Sequence, residues 1–372
     1  MGDSQNRSGF YIGLMSGTSL DGVDAVLVQI DADGQPELTC KAHRSFSGDL
    51  KAQLLALNTS GPDEIHRSAI AANELADIYA SAVDQLLRDS HKPADQIVAI
   101  GAHGQTVRHR PDLGYTVQIN APARLAELTG ISVVADFRSR DIAAGGQGAP
   151  LVPVFHAKVF AATSTRVILN LGGIANVTIL HSDGRVLGFD TGPANMLMDA
   201  WCERHTGLPY DEAGQWGAGG HASQALLDQL IDSQPWFSLP PPKSTGRDMF
   251  HLAWLDRELA RLPLSLRAQD VQATLQHLTA VTVIDALRRA GVTNPELFVC
   301  GGGSRNIALM SLLKTLGATS VEPTDVLGVP AQDVEAVAFA WLAWAHIQAK
   351  TGNLPQVTGA KAARRIGALW PA

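Results

Sequence analysis

Cysteine is scarce in this chain: Cys40, Cys202 and Cys300 are the only three in 372 residues. They are odd in number, far apart and outside any C-x-x-C pattern. That excludes a disulfide framework and a structural zinc site, and it fits a reducing compartment. Positive charge is also short. With 29 Lys and Arg against 36 Asp and Glu, the formal net charge is -7. No global field draws the chain to nucleic acid or an anionic membrane, so phosphate must be met by a locally built site. The basic clusters at 108–110 and 361–365 read as solvated faces. Long apolar runs are missing too. The most apolar helical stretch, 334–347, contains Glu335 and His346 and falls short of the ~20 residues of a membrane span. Apolar residues 11–15 run at once into Ser16-Gly17-Thr18-Ser19, which is not the order of an export signal. The expectation is a cytoplasmic protein with no nucleic-acid and no membrane partner.

Glycine is plentiful, at 35 residues in a chain that is 45% hydrophobic and 17% charged. This is a folded-enzyme composition, rich in the residue that lets backbone approach a ligand closely. At roughly 100–200 residues per domain the length predicts two domains, with residues 1–8 as a polar tail. Segments 10–14 and 23–30 predict strands around a polar turn at 16–22. A stripe of Ile70, Leu75, Ile78, Ala82 and Leu86 predicts a helix over 68–88, and strands follow at 97–102, 115–119 and 131–136. Before the last of these, Asn120 offers an N-cap, Pro122 sits in the first turn of a short helix and Gly130 stops it. The second half restarts with strands at 167–171, 175–180 and 186–189, turned by Gly172-Gly173 and Ser182-Asp183-Gly184. Helices are expected at 195–205, 221–231, 248–261 and 271–289, with Pro240-Pro241-Pro242 in a loop. A strand at 296–300, a helix at 304–316, a strand at 318–321 and a helix at 333–350 complete the order. Alternating strands and helices imply an α/β fold with covered sheets. The expected domains are 1–140 and 141–350, the second with helical insertions, and 351–372 packing back on the first. Two such domains predict a small-molecule site in the cleft between them.

Three glycine turns concentrate the chemistry. The first, 15–24, reads Met-Ser-Gly-Thr-Ser-Leu-Asp-Gly-Val-Asp. Its backbone amides and the hydroxyls of Ser16, Thr18 and Ser19 suit phosphate oxygens, and its carboxylates suit a hydrated Mg²⁺. Gly17 and Gly22 have the outer spacing of a Walker A loop, yet Val23-Asp24 replaces its Lys-Ser/Thr, which excludes a P-loop. No G-x-G-x-x-G opens a helix, so a dinucleotide fold loses its main support. The second turn is Asn170-Leu-Gly-Gly-Ile-Ala-Asn176, after a buried strand. The third, Cys300-Gly-Gly-Gly-Ser-Arg-Asn306, leads into a helix N-terminus and suits a nucleotide. Asp190 follows a strand and precedes Thr191-Gly192-Pro193, where two readings stand open: a general base, or an N-cap for the next helix.

Two hairpins and a later loop in this order resemble the actin, hexokinase and heat-shock ATPase superfamily over essentially the whole chain. Within it, Gly13-Leu-Met-Ser-Gly-Thr-Ser-Leu-Asp-Gly-Val-Asp24, Gly101-Ala-His-Gly-Gln-Thr106, Ala135-Asp-Phe-Arg-Ser-Arg-Asp141, Gly145-Gly-Gln-Gly-Ala-Pro150 and Gly188-Phe-Asp-Thr-Gly-Pro193 are similar to anhydro-N-acetylmuramic acid kinases. Ala194 stands where a glycine is common there. The resemblance implies a two-domain actin-like (ribonuclease H-like) ATPase fold with its active site in the interdomain cleft, and the cofactors ATP and Mg²⁺. It implies ATP contacts at Gly17, Thr18, Ser19, Leu20, Asp21, Gly22, Val23, Asp24, Gly172, Gly173, Asn176, Gly301, Gly302, Gly303, Asn306 and Glu335, with Asp21 and Asp24 reaching the metal through water. It makes Asp190 the base that deprotonates a water attacking C1 of 1,6-anhydro-N-acetylmuramic acid, while the departing O6 takes the γ-phosphoryl group. The products are N-acetylmuramic acid 6-phosphate and ADP, for cell-wall sugar recycling, and a homodimer is expected. Substrate contacts fall on His103, Arg138, Arg140 and Asp141. For the arginines, a bidentate grip on the lactyl carboxylate stands beside pairing with Asp136 or Asp141. His103 stands between sugar contact and a core histidine, and Glu335 between nucleotide or metal contact and a helix-dipole role. Two alternatives remain: a kinase for a simpler anhydro sugar such as levoglucosan, and an actin-like ATPase binding module.

Overall fold

Short runs of β-branched and aliphatic residues, bounded by glycine, proline or polar turns, build the sheets, and longer periodic segments build the helices that cover them. The computed structural model describes residues 8–17, 20–241, 243–246, 249–263 and 265–372. Its strands are β1 (Gly9–Met15), β2 (Gly22–Ile30), β3 (Pro36–Ser45), β4 (Ile97–Ala102), β5 (Gln105–Arg110), β6 (Tyr115–Ile119), β7 (Val133–Ala135), β8 (Arg166–Leu171), β9 (Ile174–Leu180), β10 (Val186–Pro193), β11 (Glu296–Cys300), β12 (Ser320–Pro323) and β13 (Ala368–Trp370). The chain forms two compact units, one of Met1–Val159 with Asp333–Ala372 and one of Phe160–Gln332.

The sheet of the first unit runs β13-β7-β4-β1-β2-β3. β1, β2 and β3 form an antiparallel meander, β4 lies parallel to β1, β7 parallel to β4, and β13 antiparallel to β7. Ile12, Leu14, Val23 and Ala25 pack with Leu75, Tyr79, Val83 and Leu86 of the helix Glu64–Ser90. The helix Val334–Ile347 packs on β1, β2 and β4 and is buried nearly all round, which explains an apolar surface on every side. Two glycines admit it: a Cβ on Gly13 would strike the Ala336 carbonyl, and one on Gly101 the Phe339 carbonyl. With this helix in the first unit, the units divide at 159/160 and 332/333 rather than at 140 and 350. Among the described residues no helix is long and apolar enough to cross a membrane.

In the second unit the sheet runs β10-β9-β8-β11-β12. β8, β9 and β10 are an antiparallel meander, and β11 and β12 continue in parallel beside β8. Each sheet thus reads third, second, first, fourth, fifth strand in the same senses. That duplicated order is the α/β, actin-like (ribonuclease H-like) fold that was expected. Leu275, Leu278, Val283 and Leu287 of the helix Ala268–Arg289 pack on Val167, Leu169, Val177 and Ile179.

Three expectations change. β10 runs on to Pro193, so Asp190 lies inside a strand, and the following helix starts at Asn195 with no side-chain cap; the N-cap reading of Asp190 is excluded. Asn120 does not cap the helix Pro122–Thr129, since its amide donates to the Ala102 carbonyl at 3.3 Å. The helix expected from 304 begins at Ile307, after a 3-10 turn at Gly302–Arg305.

Candidate functional site

In the first unit, antiparallel pairing of Met15 with Asp24 closes the turn at 16–21. Thr18 and Ser19, expected to meet ATP, lie outside the described residues. Ser16 is buried, donates to the Gly104 carbonyl at 2.9 Å and accepts from the Tyr79 hydroxyl at 3.1 Å, while Tyr79 accepts the Gly104 amide at 3.1 Å. Burial pushes the Tyr79 phenol up to about 12, so it keeps its proton. The Ser16 hydroxyl is therefore committed to the fold and is not the phosphate donor that sequence suggested. Leu20 adopts a φ of 56° and drives its side chain in among Leu50, Leu54 and Leu57, and Val23 is fully buried. Only the main chain of these two can face a ligand. Gly22 has no room for a Cβ, which would strike the Arg44 carbonyl.

Two carboxylates around this turn each have a side-chain partner. Asp24 meets the His43 ring at 2.9 Å, and Lys41 meets the buried Asp333 at 2.9 Å. Loss of solvation raises the Asp24 carboxyl, the His43 contact opposes this, and Asp21 and Asp333 add to it. Glu335, in the first turn of Val334–Ile347, is raised mainly by burial, with Arg138 opposing and Asp24 adding. Asp21, Asp24, Asp333 and Glu335 thus share one electrostatic neighbourhood.

Arg138 donates to the Gly148 carbonyl at 2.9 Å and to His103 Nε2 at 2.9 and 3.2 Å. Burial lowers it to about 10, so it stays cationic. His103 is 5% exposed, stacks on Phe339 with centroids 4.6 Å apart, and is pushed down to about 3 by burial and Arg138. Its Nε2 accepts from Arg138, so Nδ1 carries the proton; the Ser16 and Gly104 backbone oppose the shift, yet Nδ1 has no partner of hydrogen-bond geometry. Asp141 is buried at 0% exposure and accepts from the Gly148 amide at 2.8 Å, Thr358 Oγ1 at 2.7 Å and Asn353 Nδ2 at 2.5 Å. Those bonds tie the 145–150 loop to the C-terminal segment and leave Asp141 a bracing role rather than a surface for sugar. Arg140 is exposed on the short helix Ser139–Ala143.

In the second unit, cross-strand register places Asn170, Asn176 and Asp190 in one row, since Asn176 pairs with both of the others. Directly paired residues share a face. Gly301 closes the row: a Cβ there would strike the Asn170 side chain and the Leu171 backbone. Gly303 is equally confined, 2.6 Å from Leu171 Cβ, whereas a Cβ on Gly172 or Gly302 would meet nothing within 3.6 Å. At Gly172 and Gly302 a Cβ would thus sit in ordinary van der Waals contact, with Ile174 and Asn195, and without a clash. The Gly172 and Gly173 carbonyls accept amides of Ala194, Asn195 and Met196, fixing this turn to the start of the helix Asn195–Thr206. Asn306 is nine-tenths buried and its Oδ1 accepts the Leu309 amide at 2.9 Å, which makes it an N-cap.

Asp190 Oδ2 accepts the Thr245 amide at 2.9 Å, and its own amide donates to the Lys243 carbonyl at 3.1 Å. Burial raises its carboxyl to about 7, against the pull of the Thr245 amide and Lys243. At neutral pH it is half ionised, a poise suited to a general base and less fully charged than a surface aspartate. Asp199 also rises to about 7, from burial and Asp211, but it lies on the helix Asn195–Thr206, outside the row.

The sequence profile of the anhydro-N-acetylmuramic acid kinase family matches residues 9–372. The chain belongs to that family. It is 58% identical over 363 residues to the anhydro-N-acetylmuramic acid kinase of Bordetella petrii, covering 97% of this chain and 96% of that protein. To that of Chromobacterium violaceum it is 52% identical over 363 residues, covering 97% and 99%. Among solved structures, component A of the (R)-2-hydroxyglutaryl-CoA dehydratase of Acidaminococcus fermentans aligns with a TM-score of 0.49 at 13% identity, covering 90% of this chain and 97% of that one.

As a member of this kinase family the chain is an ATP-dependent phosphotransferase, and several of its family-like motifs divide on inspection. Gly13 and Gly101 serve helix packing, Gly301 and Gly303 serve the row, and Gly172 and Gly302 are less tightly enclosed. Sequence reasoning missed Tyr79, Asn353, Thr358, Lys243 and Thr245. The last two follow a proline run that marked only a loop, and nothing in their spacing signalled a partner for Asp190.

Proposed function

We propose that this kinase opens the 1,6-anhydro ring of 1,6-anhydro-N-acetylmuramic acid and phosphorylates O6, giving N-acetylmuramic acid 6-phosphate and ADP for cell-wall sugar recycling. The observation that carries this reading is Asp190, a carboxylate in the Asn170–Asn176 row with one oxygen held by Thr245 and the other left to accept a proton. Asp190 takes a proton from water as the water oxygen bonds to C1 and the C1–O6 bond breaks. O6 then bonds to the γ-phosphorus, and the bond to ADP breaks. The main chain of Gly17 and of residues 20–24 suits phosphate oxygens, and so, in its own unit, does that of Gly172, Gly173 and Gly302. Arg138 keeps N–H groups beyond those given to His103 and Gly148, and these meet the lactyl carboxylate together with Arg140. His103 and Asp141 position Arg138 and its loop rather than grip the sugar themselves, and Glu335 balances the Arg138 charge.

Mg²⁺ arrives with ATP, and the donors fit it: Asp21 and Asp24 offer hard carboxylate oxygens, and Asp21 stands close enough to raise the Asp24 carboxyl. When bound through water there, the ion disperses charge on the transferred phosphoryl group. We place the enzyme in the cytoplasm as a homodimer, with water as co-substrate.

The test is turnover of the anhydro sugar with Mg-ATP in ¹⁸O-labelled water. The expected product carries label at C1 and phosphate on O6. Label on phosphate, or turnover of levoglucosan but not of the lactyl sugar, overturns the reading.

A further inference from the structure

Residues 243–245 form a strap that meets β10 at Asp190. Its contacts are specific. Lys243 Nζ donates to the Phe237 carbonyl at 2.9 Å and the Trp236 carbonyl at 3.4 Å, and sits 4.3 Å from the centre of the Trp236 ring. The Trp236 indole donates back to the Ser244 carbonyl at 3.1 Å. This ammonium therefore staples residues 243–245 to the turn Pro235–Ser238, and those residues hold Asp190 at both its amide and Oδ2. Arg289, from the helix Ala268–Arg289, donates to the same Phe237 carbonyl at 2.8 Å and ties the turn to that helix.

We propose that Lys243 is a positioning residue for Asp190, stapling the strap that holds the carboxylate and setting the positive field in which it ionises. Among the described residues the groups facing Asp190 are Lys243 and the Thr245 amide, and those facing Lys243 are Arg289 and Asp190. Burial and Arg289 lower Lys243 to about 8, while Asp190 opposes the shift, so it is mostly charged as Asp190 begins to give up its proton below pH 7. The ammonium borders a cavity of ≈ 120 Å³ lined also by Phe189, Leu239 and Arg289. An arginine at 243 has room there.

The inference rests on Asp190 being the base, and its test separates the two claims. The Asp190 carboxyl is titrated by ¹³C NMR on protein labelled at aspartate, in the wild type, Lys243→Met and Lys243→Arg, alongside kcat/KM against pH. The expected result in Lys243→Met is an Asp190 titration about one pH unit higher, with the acid limb of kcat/KM moved equally, since a nearby opposite charge shifts a carboxyl by roughly 1–3 units. Lys243→Arg restores both. If Lys243→Met fails to fold, Lys243→Gln gives the same comparison. An unmoved Asp190 titration, or an equal loss of rate at every pH, overturns the proposal. A moved titration with an unmoved acid limb leaves the Lys243 field standing and sinks the assignment of Asp190 as base.

Discussion

The two units share a strand order but not a chemistry. In the first, the turn after β1 is surrounded by Asp21, Asp24, Asp333 and Glu335, offset by Lys41, His43 and Arg138. In the second, the corresponding turn is two glycines between neutral asparagines, with a single carboxylate, Asp190, paired to Asn176 from the neighbouring strand. One strand order thus carries two different local environments. A crowd of charges suits a metal-bound triphosphate and an anionic sugar, because each charge is met by another. Proton transfer asks the reverse: an isolated carboxylate, poorly solvated, whose charge is cheap to lose and regain.

The largest effect expected from breaking this division is at Asp190. Asp190→Asn keeps the Thr245 contact, because an amide oxygen still accepts, and turnover falls roughly 10²–10⁴-fold while ATP binding is retained. In the wild type kcat/KM falls as pH drops below about 7, because the base becomes protonated; in Asp190→Asn that limb is absent. The stability sign is the unusual one. Asp190 is raised in the fold above its ordinary 3.8, so the folded state binds more protons, and stability from this group is lost as pH rises from about 4 through about 7. Asp190→Asn should therefore melt above the wild type at pH 8 and level with it near pH 4. Near-normal turnover, or an unchanged acid limb, removes the assigned base.

A smaller effect separates glycines that pack from glycines that leave space. Gly101→Ala drives a Cβ into the Phe339 carbonyl of a helix that cannot retreat, and overpacking of this kind costs roughly 1–3 kcal/mol. Gly302→Ala meets nothing tight, so stability should hold within about 0.5 kcal/mol while KM for ATP rises several-fold. Denaturant midpoints and KM for both variants check this. Equal destabilisation, or an unmoved KM in Gly302→Ala, means that Gly302 is not where nucleotide approaches.

Much of this fold was legible in residue patterns, and the misses have physical causes. β1, β2, β4, β8 and β11 are buried aliphatic runs bounded by glycine, and each was located within one or two residues of its ends. β3 escaped notice because its apolar side is only Leu38, Cys40 and Ala42, of which Ala42 alone is buried, so its alternation is short and weak. The candidate site divided in the same way. Glycine spacing pointed to the turns, but whether a glycine makes room for a ligand or for a neighbouring helix depends on what stands opposite it, as at Gly13 and Gly302. Asp141 was grouped with the arginines because it neighbours them in sequence. Its actual partners, Asn353 and Thr358, come from more than two hundred positions away. Lys243 and Thr245 reach Asp190 only because a loop folds back, and loops leave no periodic trace.

The smallest effect concerns Asn306, where the two roles make opposite demands. As an N-cap it spends Oδ1 on the Leu309 amide, which Asp can also do, and replacement of such a cap by Ala costs about 1 kcal/mol. A nucleotide contact would instead use the amide N–H groups, which Asp lacks. Asn306→Asp should therefore keep the melting temperature, and Asn306→Ala should lower it by a few degrees. If capping is the residue's whole duty, KM for ATP stays level in both. If KM rises in both, most in the Asp variant because its charge faces phosphate, Asn306 holds nucleotide with one end of its side chain and the helix with the other. The second unit's turn would then owe its neutrality to the same need, since a carboxylate at that position would repel what the glycines admit.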